Sequence, residues 1–234
     1  MKKLGIIGAM DVEVAILKEK LVDSKVTTVG KMAFFEGKLS GLDVVVVQCG
    51  VGKVNAAMCA QTLCDRFGVT HLVNTGIAGS LDNELDIGDV LVSRDAMYHD
   101  FDCVNFGYPM GKVPGLDVVS FPADEEMIHL AYAASESLKP GHTKMGRVAT
   151  GDQFVAEKAL KNQIIERTGA NCTEMEGAAI AQAAYLNGVP FVILRAISDK
   201  ADDSADMDYP TFERIAAHRC AEVTAILARK LKEN

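Results

Sequence analysis

Features that would place this chain in several other protein classes are missing from its sequence. It carries 24 lysine and arginine residues against 32 aspartate and glutamate residues, a net charge of −8, with no basic cluster interleaved with aromatics. A nucleic-acid groove needs a basic stripe, so this composition argues against nucleic acid as a partner. Apolar runs such as residues 44–47 are far shorter than a bilayer span, so we expect no membrane segment.

The amino terminus and the cysteines lack the signals of secretion and of metal or redox chemistry. The opening MKKLGIIGAM reaches Asp11 and Glu13 too soon for a signal peptide. The six cysteines form no C-x-x-C pair, and no histidine lies at metal-ligand spacing from them. We therefore expect buried reduced thiols, no metal, no cofactor and a cytoplasmic protein.

What the sequence does contain is an alternation of apolar strands with amphipathic helices. The 234 residues include 6 prolines and no linker, which predicts one domain over residues 1–234. A helix is predicted over residues 11–21, a hairpin over 32–39 and 42–48, an acidic loop over 199–208, and a last helix from 211. Further strands are predicted at 4–8, 69–75, 89–99, 144–150, 172–175 and 191–197. The pattern predicts an α/β fold, a three-layer α/β/α sandwich with a mixed, mostly parallel sheet.

Polar residues at the strand ends are the candidates for chemistry, because open α/β folds bind ligands outside the carboxyl ends of their parallel strands. Four predicted strand ends carry such residues: GAMDVE, NTGIAGS, TEMEG and RAISDKAD. The spacing G-x-G-x-x-G and the P-loop lysine are both absent, which excludes those nucleotide fingerprints. The segment TGIAGS either presents backbone N–H groups to a ligand or simply closes a tight turn.

Each candidate carboxylate also has an ordinary structural interpretation. Glu13 lies in the first turn of a predicted helix, where the helix dipole favours an exposed acid. Glu174 and Glu176 flank a strand-to-helix junction, where they could cap the helix or lie on the surface. Asp199 follows a strand directly, as a turn-forming aspartate does.

The segments taken together resemble a known enzyme family. In chain order they are GIIGAMDVEV (5–14), NTGIAG (74–79), YHDFD (98–102), GDQF (151–154), EMEGAAIA (174–181) and RAISDKAD (195–202). This collinear set resembles the methylthioadenosine/S-adenosylhomocysteine nucleosidases of the nucleoside phosphorylase superfamily. The resemblance implies a nucleoside phosphorylase-like fold and hydrolysis of 5'-methylthioadenosine and S-adenosylhomocysteine to adenine, as in methionine salvage and amino-acid biosynthesis. It also makes 5'-deoxyadenosine a candidate substrate.

The same resemblance implies a role for each matched residue. Asp199 would be the general acid that protonates purine N7, and Glu13 would be the general base for the attacking water. Glu176 would hold the ribose hydroxyls. The other substrate-binding positions would be Gly79, Phe154, Val155, Met175, Arg195, Ser198 and Tyr209. This agrees with the chemistry, since adenine leaves poorly until N7 is protonated and a nearby carboxylate stabilises the oxocarbenium-like ribose.

The chain departs from the family pattern at one position, and the resemblance also implies a partner. Many relatives carry serine at the position of Ile77, so a hydroxyl contact cannot be transferred there. The family is typically homodimeric, which implies that Phe106, Tyr108 and Pro114 of the partner subunit help to close the pocket for the 5' substituent. The preferred 5' substituent is left open.

Two other functions compete with hydrolysis. A phosphorylase of the same superfamily would need an anion pocket with arginine, yet TGIAGSL contains none and Glu13 would repel phosphate. A non-catalytic nucleoside-binding module would gain little from three carboxylates that face a neutral ligand.

Overall fold

The computed structural model describes residues 1–138, 141–202 and 204–234, which form ten strands and six helices. The strands are β1 (Lys3–Gly8), β2 (Val22–Val29), β3 (Met32–Leu39), β4 (Leu42–Gln48), β5 (His71–Ser80), β6 (Val90–Tyr98), β7 (Phe121–Pro122), β8 (Thr143–Thr150), β9 (Cys172–Glu174) and β10 (Phe191–Asp199). The helices are α1 (Asp11–Glu19), α2 (Lys53–Phe67), α3 (Glu125–Glu136), α4 (Lys158–Thr168), α5 (Gly177–Asn187) and α6 (Ala205–Glu233). A 3₁₀ turn covers Val104–Phe106.

The strands form one mixed sheet whose order is β10-β6-β8-β9-β5-β1-β4-β3-β2. Strands β4, β1, β5 and β10 run parallel, while β2, β3 and β4 are antiparallel neighbours. Strand β10 pairs with both β5 and β6, so β5, β9, β8, β6 and β10 close into a ring. The carboxyl ends of β1, β5 and β10 therefore meet at one place.

Two groups of helices cover the sheet. Helices α2 and α5 pack on each other, and helices α1 and α3 pack on α6. Helix α2 ends where Gly68 adopts the left-handed conformation that glycine tolerates at a helix terminus. The alanine-rich α5 is buried along most of its length, so small side chains let it lie close to the sheet. The predicted α/β sandwich with a mixed sheet is confirmed.

The predictions for β5, β2 and α6 were wrong. Strand β5 continues to Ser80, so TGIAGS is strand and not a turn, because β10 pairs with it as far as Gly79. Strand β2 was missed, since most of its residues are exposed and it has no buried face to show a periodicity of two. Helix α6 begins at Ala205 and not at residue 211, which shortens the acidic loop; Asp203 of that loop lies outside the described residues.

All six cysteines are free, four of them buried and two half-buried. Among the described helices, none combines the length and the apolar character needed to cross a membrane.

Candidate active site

A cavity lies where β1, β5 and β10 end. Its lining residues are Ala9, Met10, Glu13, Val51, Ile77, Ala78, Gly79, Gln153, Phe154, Val155, Thr173, Glu174, Met175, Glu176, Ser198, Asp199 and Tyr209. Four of these side chains are carboxyls and none is a lysine or an arginine.

Glu13 is buried beside the cavity, so its interpretation as an exposed first-turn acid is wrong. Its Oε2 accepts hydrogen bonds from the Ala9 and Met10 N–H groups at 2.7 and 3.0 Å. Its Oε1 accepts from the Ile77 N–H at 3.1 Å. Burial raises the pKa of Glu13, although Arg195 and the three N–H groups oppose that rise. The backbone of Ile77 thus orients Glu13 whatever side chain stands at that position.

Asp199 ends β10 opposite Gly79 of β5 and is also buried. Its Oδ2 accepts a hydrogen bond from the Ser198 hydroxyl at 2.8 Å, and its Oδ1 accepts from the Ala201 N–H at 2.8 Å. The second bond is the turn-forming contact that the sequence suggests. Burial raises the pKa of Asp199, and the hydrogen bonds from Ser198 and Ala201 only partly offset this. A carboxyl with a raised pKa can carry a proton to a ligand.

Glu174 and Glu176 are both buried, and they differ in what occupies their oxygens. Glu174 contacts the Arg195 guanidinium and the Thr150 hydroxyl, and it accepts a hydrogen bond from the Gly177 N–H at 2.7 Å. The helix-capping interpretation therefore applies to Glu174, which caps α5. Its acceptor positions are filled by the protein, which leaves little capacity for a ligand.

Glu176 keeps one oxygen for the cavity. Its Oε1 accepts a hydrogen bond from the Gly52 N–H at 2.8 Å, and its Oε2 lies 3.8 Å from Arg195 Nη2. Burial raises the pKa of Glu176, and the negative charge of Glu174 raises it further. The Gly52 N–H and the nearby Arg195 act in the opposite direction and favour the carboxylate. Glu176 is thus placed to accept hydrogen bonds from a ligand's hydroxyl groups.

Arg195 lies behind the cavity, 1% exposed, where it contacts Glu174 and the Asn74 side chain. Replacement of Arg195 by methionine is expected to lower the free energy of unfolding by about 3–5 kcal/mol, because a buried carboxylate loses its partner. Urea denaturation measures this loss. The matched control is Arg147→Met, which breaks the more exposed pair with Asp95. An equal loss in the two variants would contradict the account.

The structure brings most of the predicted site residues together. Gly79, Phe154, Val155, Met175, Ser198 and Tyr209 line the same cavity as Glu13, Glu176 and Asp199. The rings of Phe154 and Tyr209 meet edge to face with centroids 5.5 Å apart. Phe106 and Pro114 are exposed, Arg195 is buried behind the glutamates, and none of the three is among the lining residues.

Several lining residues were not predicted. They are Ala9, Met10, Val51, Ala78, Gln153 and Thr173. All except Ala9 and Val51 lie one to three residues from a predicted site residue, which is the only signal that could have indicated them. Ala9 lies four residues from Glu13, and Val51 has no predicted site residue nearby in the sequence. In the part of the chain that the structure describes, no group of three or more histidine, cysteine or acidic side chains could hold a metal ion.

The chain is similar to known proteins over nearly its whole length. Residues 3–229 match the model of the phosphorylase superfamily. The 5'-methylthioadenosine/S-adenosylhomocysteine nucleosidase of Staphylococcus carnosus is 38% identical over 229 residues, which cover 97% of this chain and 100% of the relative.

Solved structures of nucleosidases and of a futalosine hydrolase are similar to nearly the whole chain. The Neisseria meningitidis nucleosidase in complex with methylthio-immucillin-A has a TM-score of 0.96 at 34% identity, with 98% of this chain and 100% of that chain covered. The Colwellia psychrerythraea nucleosidase in complex with adenine has a TM-score of 0.95 at 38% identity, with 98% and 96% covered. A futalosine hydrolase of Helicobacter pylori has a TM-score of 0.93 at 32% identity, with 98% of each chain covered.

Proposed function

Since this chain belongs to the phosphorylase superfamily and, within it, to the 5'-methylthioadenosine/S-adenosylhomocysteine nucleosidases, we propose that it hydrolyses the N-glycosidic bonds of both nucleosides through Glu13, Glu176 and Asp199. The observation that carries the proposal is that these three buried carboxyls line one cavity that has no cationic side chain in its lining. The products are adenine and the 5-substituted ribose.

Asp199 supplies the proton that makes adenine a leaving group. Its raised pKa keeps a fraction of the carboxyl protonated, and purine N7 accepts that proton as the bond to the ribose breaks. The Ser198 hydroxyl lies 2.8 Å from Asp199 Oδ2 and 3.4 Å from the Ala78 carbonyl. Because it can donate to either group, Ser198 can adapt to both protonation states of Asp199.

Glu176 and Glu13 act on the sugar side. As the glycosidic bond breaks, positive charge develops on the ribose, and the Glu176 carboxylate stabilises that charge more in the transition state than in the substrate. Water then attacks the anomeric carbon, and Glu13 removes a proton from that water. The three backbone N–H groups and Arg195 favour the ionised form that a base requires.

We assign contact with the purine to the segment after β8 and to the start of α6, which form one side of the cavity. Phe154 is about half exposed, at 49%, and its ring meets that of Tyr209 at the cavity. We assign Phe154 to stacking on the purine face, and Val155 and Gly79 to the backbone around the ring. Met175 packs against the ribose between the two glutamates.

Phosphorolysis is the alternative reaction, and the site does not favour it. A phosphate pocket needs arginine or lysine beside glycine-rich backbone. Arg195 is the cation nearest to the ribose-side glutamates, and it is buried behind them in contact with Glu174. Four acidic side chains line the cavity, so phosphate would be repelled. A non-catalytic binding module would likewise gain nothing from these buried acids.

The proposal is tested by adenine release from 5'-methylthioadenosine in buffer without phosphate. We expect release at a rate that does not change when phosphate is added, because water is the nucleophile. Release that requires phosphate would show that the chain is a phosphorylase and not a hydrolase. The same assay with S-adenosylhomocysteine, 5'-deoxyadenosine and 6-amino-6-deoxyfutalosine ranks the 5' substituents.

We also propose that the enzyme is a homodimer in which Phe106 and Pro114 of the partner subunit close the 5' end of the pocket. Phe106 is 83% exposed, and Val54 and Met58 form an exposed apolar stripe on α2 next to the cavity residue Val51. Exposed apolar side chains grouped along one helix are typical of a surface that a partner covers. Free cysteines agree with a cytoplasmic site of action, where methionine salvage would supply the substrate.

Replacement of Phe106 by aspartate is expected to shift the sedimenting species from twice 25.1 kDa to 25.1 kDa and to raise KM for 5'-methylthioadenosine. The reason is that a buried charge would oppose the interface, and the monomer's pocket would be open to water. Analytical ultracentrifugation with steady-state kinetics measures both effects. A wild-type chain that sediments as a monomer would refute the dimer.

We also propose that residues 1–234 form one domain. The main apolar core takes residues from β1 through to the last turns of α6, including Leu4 and Leu231. A core shared by both ends of the chain is typical of a single folding unit.

A further inference from the structure

Three charged residues that the proposed chemistry does not use meet beside the cavity. Lys53 opens α2 in the segment GVGK, Asp100 belongs to YHDFD, and Asp152 belongs to GDQF. The Lys53 ammonium lies 2.6 Å from Asp100 Oδ2 and 3.6 Å from Asp152 Oδ2. We refer to these three residues as the Lys53 cluster.

Backbone hydrogen bonds complete the Lys53 cluster. The Lys53 N–H donates to Asp152 Oδ1 at 2.9 Å, and the Asp152 N–H donates to Asp100 Oδ2 at 2.9 Å. Partial burial of Asp100 opposes its ionisation, but the hydrogen bonds from Lys53 and from the Asp152 N–H lower its pKa below the usual value. The cluster thus ties the start of α2 to the residues after β6 and the residues after β8.

Two chain segments connect the Lys53 cluster to cavity residues. Gly52, which precedes Lys53, donates its N–H to Glu176 Oε1 at 2.8 Å. Gly52 has a φ of +99°, a conformation that L side chains rarely adopt, and a Cβ there would lie 3.1 Å from Asp152 Oδ1. The orientation of this N–H therefore depends on how Lys53 and Asp152 are held.

The second connection is the segment that follows Asp152. Phe154 and Val155 line the cavity two and three residues further on, and no helix or strand begins until Lys158. A segment without its own ladder of hydrogen bonds takes its position from side-chain contacts. The bonds that Asp152 makes to Lys53 and Asp100 anchor this segment at its start.

We propose that Lys53, Asp100 and Asp152 are positioning residues for the hydrolysis, which hold the Gly52 N–H on Glu176 and hold the segment carrying Phe154 and Val155 beside the purine. The inference rests on the proposed function, because it assigns the ribose to Glu176 and the purine to that segment. The three residues act through these neighbours and none of them lines the cavity.

The first test is Lys53→Met, assayed for adenine release from 5'-methylthioadenosine. A misplacement of about 1 Å at a reacting group costs about 10²-fold in rate, so we expect kcat/KM to fall about 10- to 100-fold. Both parameters should change, since displacement of Glu176 lowers kcat and displacement of the purine-side segment raises KM.

Lys144→Met is the matched control. Lys144 lies 2.6 Å from Asp82, and the side-chain exposures of this pair, 25% and 15%, are close to the 24% and 20% of Lys53 and Asp100. Neither Lys144 nor Asp82 lines the cavity. We expect its kcat/KM to stay within about threefold of wild type, as for a pair that contributes only to stability. The unfolding midpoint of each variant shows whether the two lose comparable stability.

A conservative pair separates positioning from folding. Asp152→Asn keeps an oxygen that accepts from the Lys53 N–H, whereas Asp152→Ala does not, so we expect the asparagine variant to retain at least about fivefold more kcat/KM. Equal losses in Lys53→Met and Lys144→Met, or in the two Asp152 variants, would overturn the inference. Failure of the wild-type chain to release adenine would instead overturn the proposed function, and is seen before any variant is compared.

Discussion

Replacement of Asp199 by asparagine is expected to lower kcat for adenine release by about 10²- to 10⁴-fold, the contribution of a positioned general acid. The amide keeps the size of the side chain and an oxygen for the Ala201 N–H, but it carries no proton acidic enough for purine N7. Binding of free adenine should change little. Stopped or continuous assays of adenine release in phosphate-free buffer measure the loss, and calorimetry measures adenine binding.

The control for Asp199→Asn is Asp202→Asn, three residues further along. Asp202 is less buried than Asp199 and lies 3.7 Å from the Lys161 ammonium. We expect Asp202→Asn to keep kcat within a few-fold of wild type. An Asp199→Asn enzyme within tenfold of wild type would show that another group protonates the purine.

The pH dependence of the activity is an independent test of the role of Asp199. Burial raises the pKa of Asp199 above its ordinary value, and the protonated form is the active one. Activity should therefore fall as the pH rises through that raised pKa, and the Asp199→Asn variant should lack this alkaline limb. Glu13 must be ionised, and burial raises its pKa too, so activity should also fall as the pH drops through the pKa of Glu13.

Replacement of Glu13 by glutamine is the second change with a large expected effect, a fall in kcat of about 10²- to 10⁴-fold. An amide cannot take the proton from the attacking water. Both oxygens of Glu13 accept backbone N–H groups, so the glutamine NH₂ must face at least one of these donors. Leaving such a donor unpaired costs about 1–3 kcal/mol, which a urea unfolding curve can detect.

Asp11→Asn is the control for this variant, since Asp11 stands two residues earlier in the same helical turn. Asp11 is exposed and pairs with Lys18 at 3.0 Å. We expect full activity from it. If Glu13→Gln were folded and still released adenine at a rate near that of wild type, the water would be activated elsewhere.

Part of the signal for this cavity is local in the sequence. Glu13 follows β1 within a few residues and Asp199 is the last residue of β10, and the rule that ligands bind at the carboxyl ends of parallel strands places both at one edge of the sheet. The hairpin of β3 and β4 was predicted over the residues that form it, because its turn and its apolar segments are adjacent in the chain.

The features that were predicted incorrectly depend on contacts between distant parts of the chain. The length of β5 is set by pairing with β10, more than one hundred residues later, so TGIAGS could not be recognised as strand. The burial of Glu13 depends on which side of α1 faces the sheet, and one of its hydrogen bonds comes from the distant Ile77 N–H. Arg195 pairs closely with Glu174 and lies further from Glu176, which leaves a Glu176 oxygen for the cavity. Local sequence does not indicate where Arg195 lies.

The central claim is that water, activated by Glu13 and assisted by Asp199, cleaves the nucleoside in this cavity. The most direct test is the single-turnover rate of adenine release from 5'-methylthioadenosine in phosphate-free buffer, measured for the wild type, Asp199→Asn and Glu13→Gln. The account predicts prompt release by the wild type, unchanged by added phosphate, and a loss of about 10²-fold or more in each variant. Release that depends on phosphate, or variants that match the wild type, would contradict it.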